Sequence, residues 1–252
     1  MSKVIVVANQ KGGVAKTTTS VNLASGLAYY KKKVLLIDLD PQGNATSGLG
    51  IDKSSLDNSV YDVMVNFEPI DQVVVNIGKK LDVLPAKVEL AGAEMELVSA
   101  ISREMRLKNA LDEVKDHYDY IVIDTPPSLG LLTLNALTAA NTFLVPIQCE
   151  YYALEGVTQL LNTIKVVQKN LNPRLSMEGI LMTMHDNRTN LSNQVVEDVR
   201  DTFKDKVFKT VISRNVRVSE APSFGQSIID YDPKSKGAQQ YLALAKEVIK
   251  HG

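Results

Sequence analysis

The chain of 252 residues is 44% hydrophobic and carries a formal net charge of −1, so it can bury one large core but has no global basic footprint for nucleic acid. Its single cysteine, Cys149, excludes an internal disulfide and the paired cysteines of a metal or iron–sulfur site. We see no signal peptide or membrane-spanning run, and we therefore expect a cytoplasmic protein.

Strand-like apolar runs alternate with helical patterns, without a linker, a low-complexity tract or an internal repeat. They predict strands at 4–8, 33–38, 81–85, 119–124, 143–148, 178–184 and 207–212. Helices are predicted over roughly 17–31, 92–117, 129–139, 154–170, 192–204 and 236–250. Such alternation implies βαβ units with right-handed crossovers. We expect one α/β domain over 1–252, with a mostly parallel twisted sheet flanked by helices on both faces.

The first predicted strand leads into a glycine turn and a helix, in the run NQKGGVAKTTT at residues 9–19. A turn of this kind before a helix N-terminus gathers backbone N–H groups around one point, which suits a phosphate. The strict pattern G-x-x-x-x-G-K-[ST] fails twice, because Gln10 and Ala15 occupy its glycine positions. A second lysine, Lys11, stands before the two glycines instead. Alone, the run is also compatible with a lysine-rich surface turn.

Two further predicted strands deliver an acid at their carboxyl ends. Asp38 ends the run VLLID, with Asp40 two residues beyond, and Asp124 ends the run YIVID. Open parallel α/β sheets bind ligands at the carboxyl ends of their strands. Together with the phosphate turn, these acids predict a site for a nucleotide and Mg²⁺.

The chain resembles the deviant Walker A ATPases, and within them the ParA/Soj family of chromosome- and plasmid-partitioning proteins. The resemblance covers nearly the whole length, from KGGVAKTTTSVNLA through LLIDLDPQGNATSGLG, IVIDTPPSLGLLTLNAL and CEYYALEG to RNVRVSEAPSFG. The first run indicates only the superclass, whereas DPQGNATSGLG, YYALEG and SEAPS point to the partitioning branch.

The resemblance implies a P-loop NTPase that hydrolyses ATP to ADP and phosphate with Mg²⁺ and with weak intrinsic turnover. It also implies an ATP-dependent homodimer that binds double-stranded DNA without sequence preference and associates with the nucleoid. A ParB-type centromere-binding partner would stimulate hydrolysis and release the ATPase from DNA.

Site roles follow from the loop chemistry and from the resemblance. Lys16 is expected against the β- and γ-phosphates, with the hydroxyl of Thr17 on Mg²⁺. By resemblance, Asp124 holds Mg²⁺ through water and Asp38 lies in the same magnesium shell. The nucleotide is expected to contact Lys11, Gly12, Gly13, Val14, Ala15, Lys16, Thr17 and Thr18, and, near adenine, Pro222 and the loop after strand 178–184.

Two assignments keep an alternative. Lys11 resembles the signature lysine that crosses a dimer interface to the partner's nucleotide, but it is also compatible with an exposed turn lysine. Asp40 resembles the residue that positions or polarises the attacking water, but Asp before Pro commonly caps a turn. With Lys16, these two residues are the predicted catalytic set.

Ala15 stands where the family usually has glycine. If this position needs a positive φ, alanine costs roughly 1–2 kcal/mol. Against the ~8 kcal/mol of micromolar binding, that strain would weaken ATP affinity about tenfold without eliminating it. If the dihedral angles are ordinary helical ones, the cost vanishes.

Basic residues cluster unevenly towards the C-terminal half, which is compatible with a solvated face or with DNA contact. By resemblance we expect phosphate contacts, not base contacts, from Arg188 and Arg217, with Lys209 behind them. Two subunits together would double a patch that is too weak in one.

Two other functions stay open. A membrane-positioning ATPase of the MinD type needs a basic amphipathic C-terminal helix. Residues 239–250 look like an ordinary packing helix with no appended anchor, so we expect no membrane partner. The second alternative is a DNA-binding regulator that uses nucleotide as a switch with little hydrolysis, which the unusual Ala15 keeps open.

Overall fold

A single eight-stranded sheet organises the part of the chain that the structure, a computed structural model, describes: residues 2–78, 80–150 and 155–251. The strands run β1 (Lys3–Val7), β2 (Val34–Asp38), β3 (Val75–Gly78), β4 (Leu81–Leu84), β5 (Tyr120–Asp124), β6 (Thr142–Gln148), β7 (Ser176–His185) and β8 (Val207–Ser213). Their order across the sheet is β3-β4-β2-β5-β1-β6-β7-β8. All neighbours pair in parallel except β3 and β4.

Helices follow most strands in the same described residues. They are α1 (Lys16–Tyr29), α2 (Asn44–Gly48), α3 (Val60–Val65), α4 (Ile70–Val73), α5 (Leu90–Glu96), α6 (Arg106–Val114), α7 (Leu131–Ala139), α8 (Glu155–Asn170), α9 (Asn190–Phe203), α10 (Val216–Glu220), α11 (Ile228–Tyr231) and α12 (Lys236–His251).

The central strands are buried on both faces because helices cover both sides of the sheet. Along β1, Val4 and Val6 point into one apolar core, while Ile5 and Val7 point into the other. This alternation is the period of two that a strand imposes. Helices α3 and α5 to α9 pack over the first core, and α1, α11 and α12 pack over the second. The predicted α/β fold class is confirmed.

Two features of the predicted secondary structure are wrong. Strand β3 was not predicted, because its short sequence VNIG lies at the sheet edge and alternates half-buried and exposed residues. The helix predicted over 92–117 is broken into α5, α6 and short 3₁₀ turns. Ala100 is extended and Ser102 has a left-handed backbone (φ 53°), and these two residues interrupt the predicted helix. The start of the helix predicted over 154–170 lies outside the described residues, as does most of the YYALEG run.

The register of the central strands decides where the predicted site residues lie. Val7 and Asp38 are both Cα partners of Asp124, on either side of β5. The carboxyl ends of these parallel strands therefore form one row. The loop after β1 and both acids meet at the same edge of the sheet.

Candidate nucleotide-binding site

The loop between β1 and α1 is wound by two residues with positive φ, Gly13 (φ 74°) and Ala15 (φ 67°, ψ 36°). Val14 lies between them, is buried, and its carbonyl accepts a hydrogen bond from Thr183 Oγ1 at 3.1 Å. The Ala15 carbonyl accepts the first helical hydrogen bond, from the Thr19 amide at 2.9 Å. Alternation of left-handed residues turns successive N–H groups towards one concavity, as an anion-binding loop requires.

Asn9 holds the start of this loop in place. Its side-chain Oδ1 accepts the Lys11 amide at 3.1 Å, and its Nδ2 donates to the Pro146 carbonyl at 2.7 Å. The loop is thereby tied to β6 as well as to β1. Asn9 is the first residue of the run at 9–19, and its anchoring role could not be predicted from the sequence because Pro146 is distant in the chain.

Lys16 is almost fully buried and its ammonium folds back over the loop. Nζ donates to the Lys11 carbonyl at 3.2 Å. Burial lowers the pKa of Lys16, and the charges of Asp124 and Asp40 oppose that shift. The ammonium therefore lies inside the concavity and close to the predicted acids, where a phosphate would supply the counter-charge.

Asp38 and Asp124 are completely buried at the ends of β2 and β5. Asp38 Oδ2 accepts the amide and the hydroxyl of Thr46 at 2.8 and 2.7 Å. Asp124 Oδ1 accepts Ser20 Oγ at 2.9 Å. Burial is the main cause that raises the pKa of both carboxyls, and for Asp124 the charge of Asp38 adds to it.

The donor set fits a hard cation. Within the described residues, Asp124 Oδ2 is enclosed and lacks a hydrogen bond of ordinary geometry. Interaction with the Thr17 hydroxyl and with Ser20 opposes the rise in the pKa of Asp124. An enclosed carboxylate oxygen without a donor is costly, and Mg²⁺ with its water shell would satisfy it. Thr17, Asp38 and Asp124 are thus brought together as the magnesium prediction requires.

Asp40 lies two residues beyond Asp38 and is 8% exposed. Its Oδ1 accepts the Gln42 amide at 3.0 Å, so the turn-capping contact is present. Its charge also acts on Lys16 and Asp124, which places it within the same site. The position of Asp40 is therefore compatible with capping a turn and with polarising an attacking water, and a substitution at Asp40 separates these two roles.

Lys11 has a different partner from Lys16, an acid that follows β6. Its Nζ lies 3.7 Å from Glu150 Oε2, and its side chain is 37% exposed. Glu150 is held in turn by Gln148, whose Nε2 donates to Oε1. The second lysine of the loop is therefore available at the rim of the site.

Two cavities flank Thr18 on α1, of about 390 and 350 Å³. Pro222 lines the first, and Met184, near the end of β7, lines the second. Each is large enough for part of a small ligand. Pro222, which was predicted near adenine, therefore lines a cavity beside Thr18, whereas the second cavity is lined by Met184 within β7 and not by the loop that follows it.

Comparison with known proteins agrees with this geometry. A family model described as an AAA domain matches residues 2–177. The sporulation initiation inhibitor protein Soj of Bacillus subtilis is 62% identical over 253 residues, covering 100% of both chains. The chromosome partitioning protein ParA of Myxococcus xanthus is 54% identical, covering 99% of this chain and 89% of its own. The chain belongs to the ParA/Soj family.

A solved relative supports the fold of this ParA/Soj ATPase family member. Cobyrinic acid a,c-diamide synthase from Mycobacterium smegmatis, with a bound ATP analogue and magnesium, has a TM-score of 0.88 at 41% identity. The match covers 100% of this chain and 96% of that one. The predicted P-loop class and the family resemblance are both confirmed. No described helix has the length and apolarity needed to span a bilayer.

Of the basic residues predicted to contact DNA in this ParA/Soj chain, two lie beyond the carboxyl ends of β7 and β8, and the third lies within β8. Pairing of His185 with Ser213 brings the ends of β7 and β8 together, so that Arg188, in the loop after β7, and Arg217, on helix α10 after β8, lie towards the same end of the sheet. Lys209 lies earlier on β8 and is exposed. Arg214, which had no assigned role, also lies near this end, and its amide donates to the His185 carbonyl.

Both arginines are engaged with acids. Arg188 donates from Nε and a terminal nitrogen to the two oxygens of Asp186, at 2.9 and 2.7 Å. Arg217 pairs with Glu220 at 3.0 Å. These pairs reduce the local positive charge, so one subunit offers only a modest attraction to DNA phosphates.

Ala15 has a positive φ and not the ordinary helical angles, so its backbone is strained. We therefore expect Ala15→Gly to stabilise the protein. Relief of about 1 kcal/mol corresponds to a rise in Tm of roughly 2–4 °C for a chain of this size. ATP affinity should improve by up to about tenfold if the strain also opposes binding. Calorimetry and nucleotide titration measure the two quantities.

Ala91→Gly is the matched control, because Ala91 is an exposed residue of α5. Glycine in a helix interior costs roughly 0.5–1 kcal/mol, and Ala91 lies in the first turn of α5, so this control should lower Tm by at most that amount and should not raise it. An Ala15→Gly variant with unchanged Tm and unchanged ATP affinity would show that position 15 stores no strain.

Proposed function

We propose that residues 1–252 form a single ParA-type ATPase domain that couples binding and hydrolysis of Mg-ATP to pairing of two subunits. The observation that carries this proposal is the different placement of the two loop lysines. Lys16 is buried over the phosphate concavity, whereas Lys11 is half-exposed at its rim. One lysine serves the chain's own nucleotide, and the other, held only by an exposed ion pair with Glu150, would serve a neighbour's.

The roles within one subunit follow from charge and position. Lys16 neutralises the β- and γ-phosphates, and backbone N–H groups of the loop bind their oxygens. Bound Mg²⁺ would supply further charge neutralisation between the phosphates. Thr17, Asp38 and Asp124 would hold it, and Asp40 would orient and polarise the attacking water. The nucleotide set is Lys11, Gly12, Gly13, Val14, Ala15, Lys16, Thr17, Thr18 and Pro222.

Subunit pairing follows from the exposed lysine at the rim, Lys11. Lys11 would leave Glu150 and cross to the γ-phosphate of the partner's nucleotide. An exposed ion pair of this kind contributes only about 0–1 kcal/mol, so exchanging Glu150 for a phosphate costs little. After hydrolysis the crossing lysine loses part of its counter-charge, and the dimer loosens.

DNA binding is proposed for Arg188, Arg217 and Lys209 through phosphate contacts. Each subunit's arginines are partly neutralised by acids, and a dimer would present two copies to one duplex. Such a protein would be cytoplasmic and nucleoid-associated. A ParB-type partner that stimulates the weak intrinsic hydrolysis would then release it from DNA, as chromosome or plasmid segregation requires.

The test is DNA binding with ATP, with ADP and without nucleotide. We expect non-specific duplex DNA to be retained with ATP alone, with affinity that falls steeply as salt rises. Arg188→Ala and Arg217→Ala should each reduce the salt slope by about two phosphate contacts per dimer, one from each subunit. Arg174→Ala, an exposed arginine before β7, should behave as wild type.

Equal DNA binding in all three nucleotide states would contradict ATP control. Phosphate release that stays at background with DNA and a ParB-type partner would instead favour the regulator that hydrolyses little ATP. These two measurements separate the binding half of the proposal from the hydrolytic half.

A further inference from the structure

Thr46 joins two loops at the carboxyl edge of the sheet through one hydroxyl. It lies on α2, is completely buried, and donates Oγ1 to Asp38 Oδ2 at 2.7 Å. The same Oγ1 accepts the amide of Ala86, which follows β4, at 2.9 Å. The hydroxyl therefore has one donor partner and one acceptor partner, each on a different loop.

A second contact ties the same two loops together. Gly43 has a φ of 62°, and a Cβ there would lie 3.0 Å from the Ala86 carbonyl oxygen. The same Cβ would lie 2.8 Å from Cδ of Lys53, whose Nζ donates to the Gln42 carbonyl at 2.8 Å. The backbone of the loop after β2 is thus packed directly on the backbone after β4.

Asp40 belongs to the loop that these contacts hold. Its amide donates to Asp38 Oδ1 at 3.2 Å, while both donors of Thr46 reach Oδ2. The Asp38 carboxylate therefore accepts hydrogen bonds from both ends of the segment that carries Asp40. A change in the position of Asp38 must move Asp40, Thr46 or both.

We propose that Thr46 is a positioning residue that fixes Asp38 and the Asp40 loop for hydrolysis and transmits their movement to the loop after β4. The inference rests on the proposed function for its catalytic part. At the outer end of this connection lies a surface groove of about 540 Å³, lined by Pro41, Gln42, Lys53, Lys87, Val88 and Glu89. The hydroxyl of Thr46 is the hydrogen-bonded link between the interior of the site and this groove, and the close packing of Gly43 on Ala86 supports it.

The energetic reason is the cost of leaving buried polar groups unpaired. Thr46→Val keeps the shape of the side chain but removes the acceptor of the Ala86 amide and one donor to Asp38. Thr46→Ser keeps the hydroxyl and loses only a methyl group. A residue that merely filled space would tolerate valine better than serine, so the two variants give opposite orders for the two interpretations.

The first measurement is hydrogen exchange at the Ala86 amide, which does not depend on ATP hydrolysis. We expect Thr46→Val to speed this exchange by about tenfold or more, corresponding to loss of one buried hydrogen bond. Thr46→Ser should stay within about threefold of wild type. Thr138→Val is the matched control, because Thr138 is equally buried and its hydroxyl donates to the Leu134 carbonyl within α7.

The second measurement is the split between kcat and KM for ATP. Thr46→Val should lower kcat by about tenfold or more with a much smaller change in KM, and Thr46→Ser should restore kcat. In wild-type protein, addition of ATP and Mg²⁺ should change the exchange of residues 86–89. That response should be lost in Thr46→Val and kept in Thr46→Ser.

Wild-type kcat together with unchanged Ala86 exchange in Thr46→Val would overturn the inference. If the valine variant does not fold, the wild-type experiment decides alone: exchange at 86–89 that ignores ATP and Mg²⁺ rejects the connection. Absence of hydrolysis in the wild-type protein would instead count against the proposed function, while the Ala86 exchange of the variants would still test the hydrogen bond.

Discussion

Lys11→Ala is expected to abolish ATP-dependent dimers while nucleotide binding stays close to the wild-type level. The Lys11 ammonium lies beside Glu150, whereas Lys16 covers the phosphate concavity. Removing a charged hydrogen bond costs about 1.5–3 kcal/mol, and a symmetric dimer would lose two of them. Dimerisation should therefore weaken by at least about a hundredfold.

Sedimentation with ATP and Mg²⁺, alongside titration with a fluorescent nucleotide, measures the two properties separately. Lys115→Ala is the matched control, because Lys115 is also a partly exposed lysine in a surface ion pair, with Asp112. It should dimerise as wild type. A normal ATP dimer of Lys11→Ala would reject the crossing role and leave Lys11 as a turn lysine.

Asp40→Ala and Asp40→Asn are both expected to retain ATP dimers and to lose turnover. Loss of a group that positions or activates water costs about 10²–10⁴-fold in rate. Asparagine keeps an oxygen for the Gln42 amide, which Asp40 accepts at 3.0 Å, but it removes the charge. The Asp40→Asn variant therefore separates catalysis from turn capping.

Single-turnover phosphate release measures the chemical step, and size-exclusion chromatography with ATP reports the dimer. Asp52→Asn is the control, since Asp52 Oδ1 accepts the Ser54 amide in the same turn contact but on the exposed surface, away from the site. It should hydrolyse ATP normally. Unimpaired hydrolysis by Asp40→Asn would show that Asp40 only caps its turn.

Most of the sheet was predictable because its central strands are short, apolar runs buried on both faces. Asp38 and Asp124 could be placed together from sequence because parallel strands end at one edge. Strand β3 could not, since an edge strand with half-exposed residues lacks that pattern. The break near Ser102 also left no signal, because serine does not by itself specify a positive φ.

The supporting hydrogen bonds of the site were less accessible to sequence reasoning than its charged residues. Thr46 lies within the run DPQGNATSGLG, yet its second partner, Ala86, is forty residues away. Ser20 reaches Asp124 across an even longer separation. Ala15 was left with two alternatives, because its residue type is compatible with either sign of φ, and only the folded loop selects the positive one.

The alignment of Val7, Asp38 and Asp124 also bears on how the protein folds. These positions are distant in sequence and meet only when β1, β2 and β5 pair in the native register. A slip of one residue would turn both acids to the opposite faces of their strands. A ligand that needs this row binds the native state alone and stabilises it by mass action. Mg-nucleotide should therefore raise the free energy of unfolding, because it favours chains whose central strands are paired in the native register.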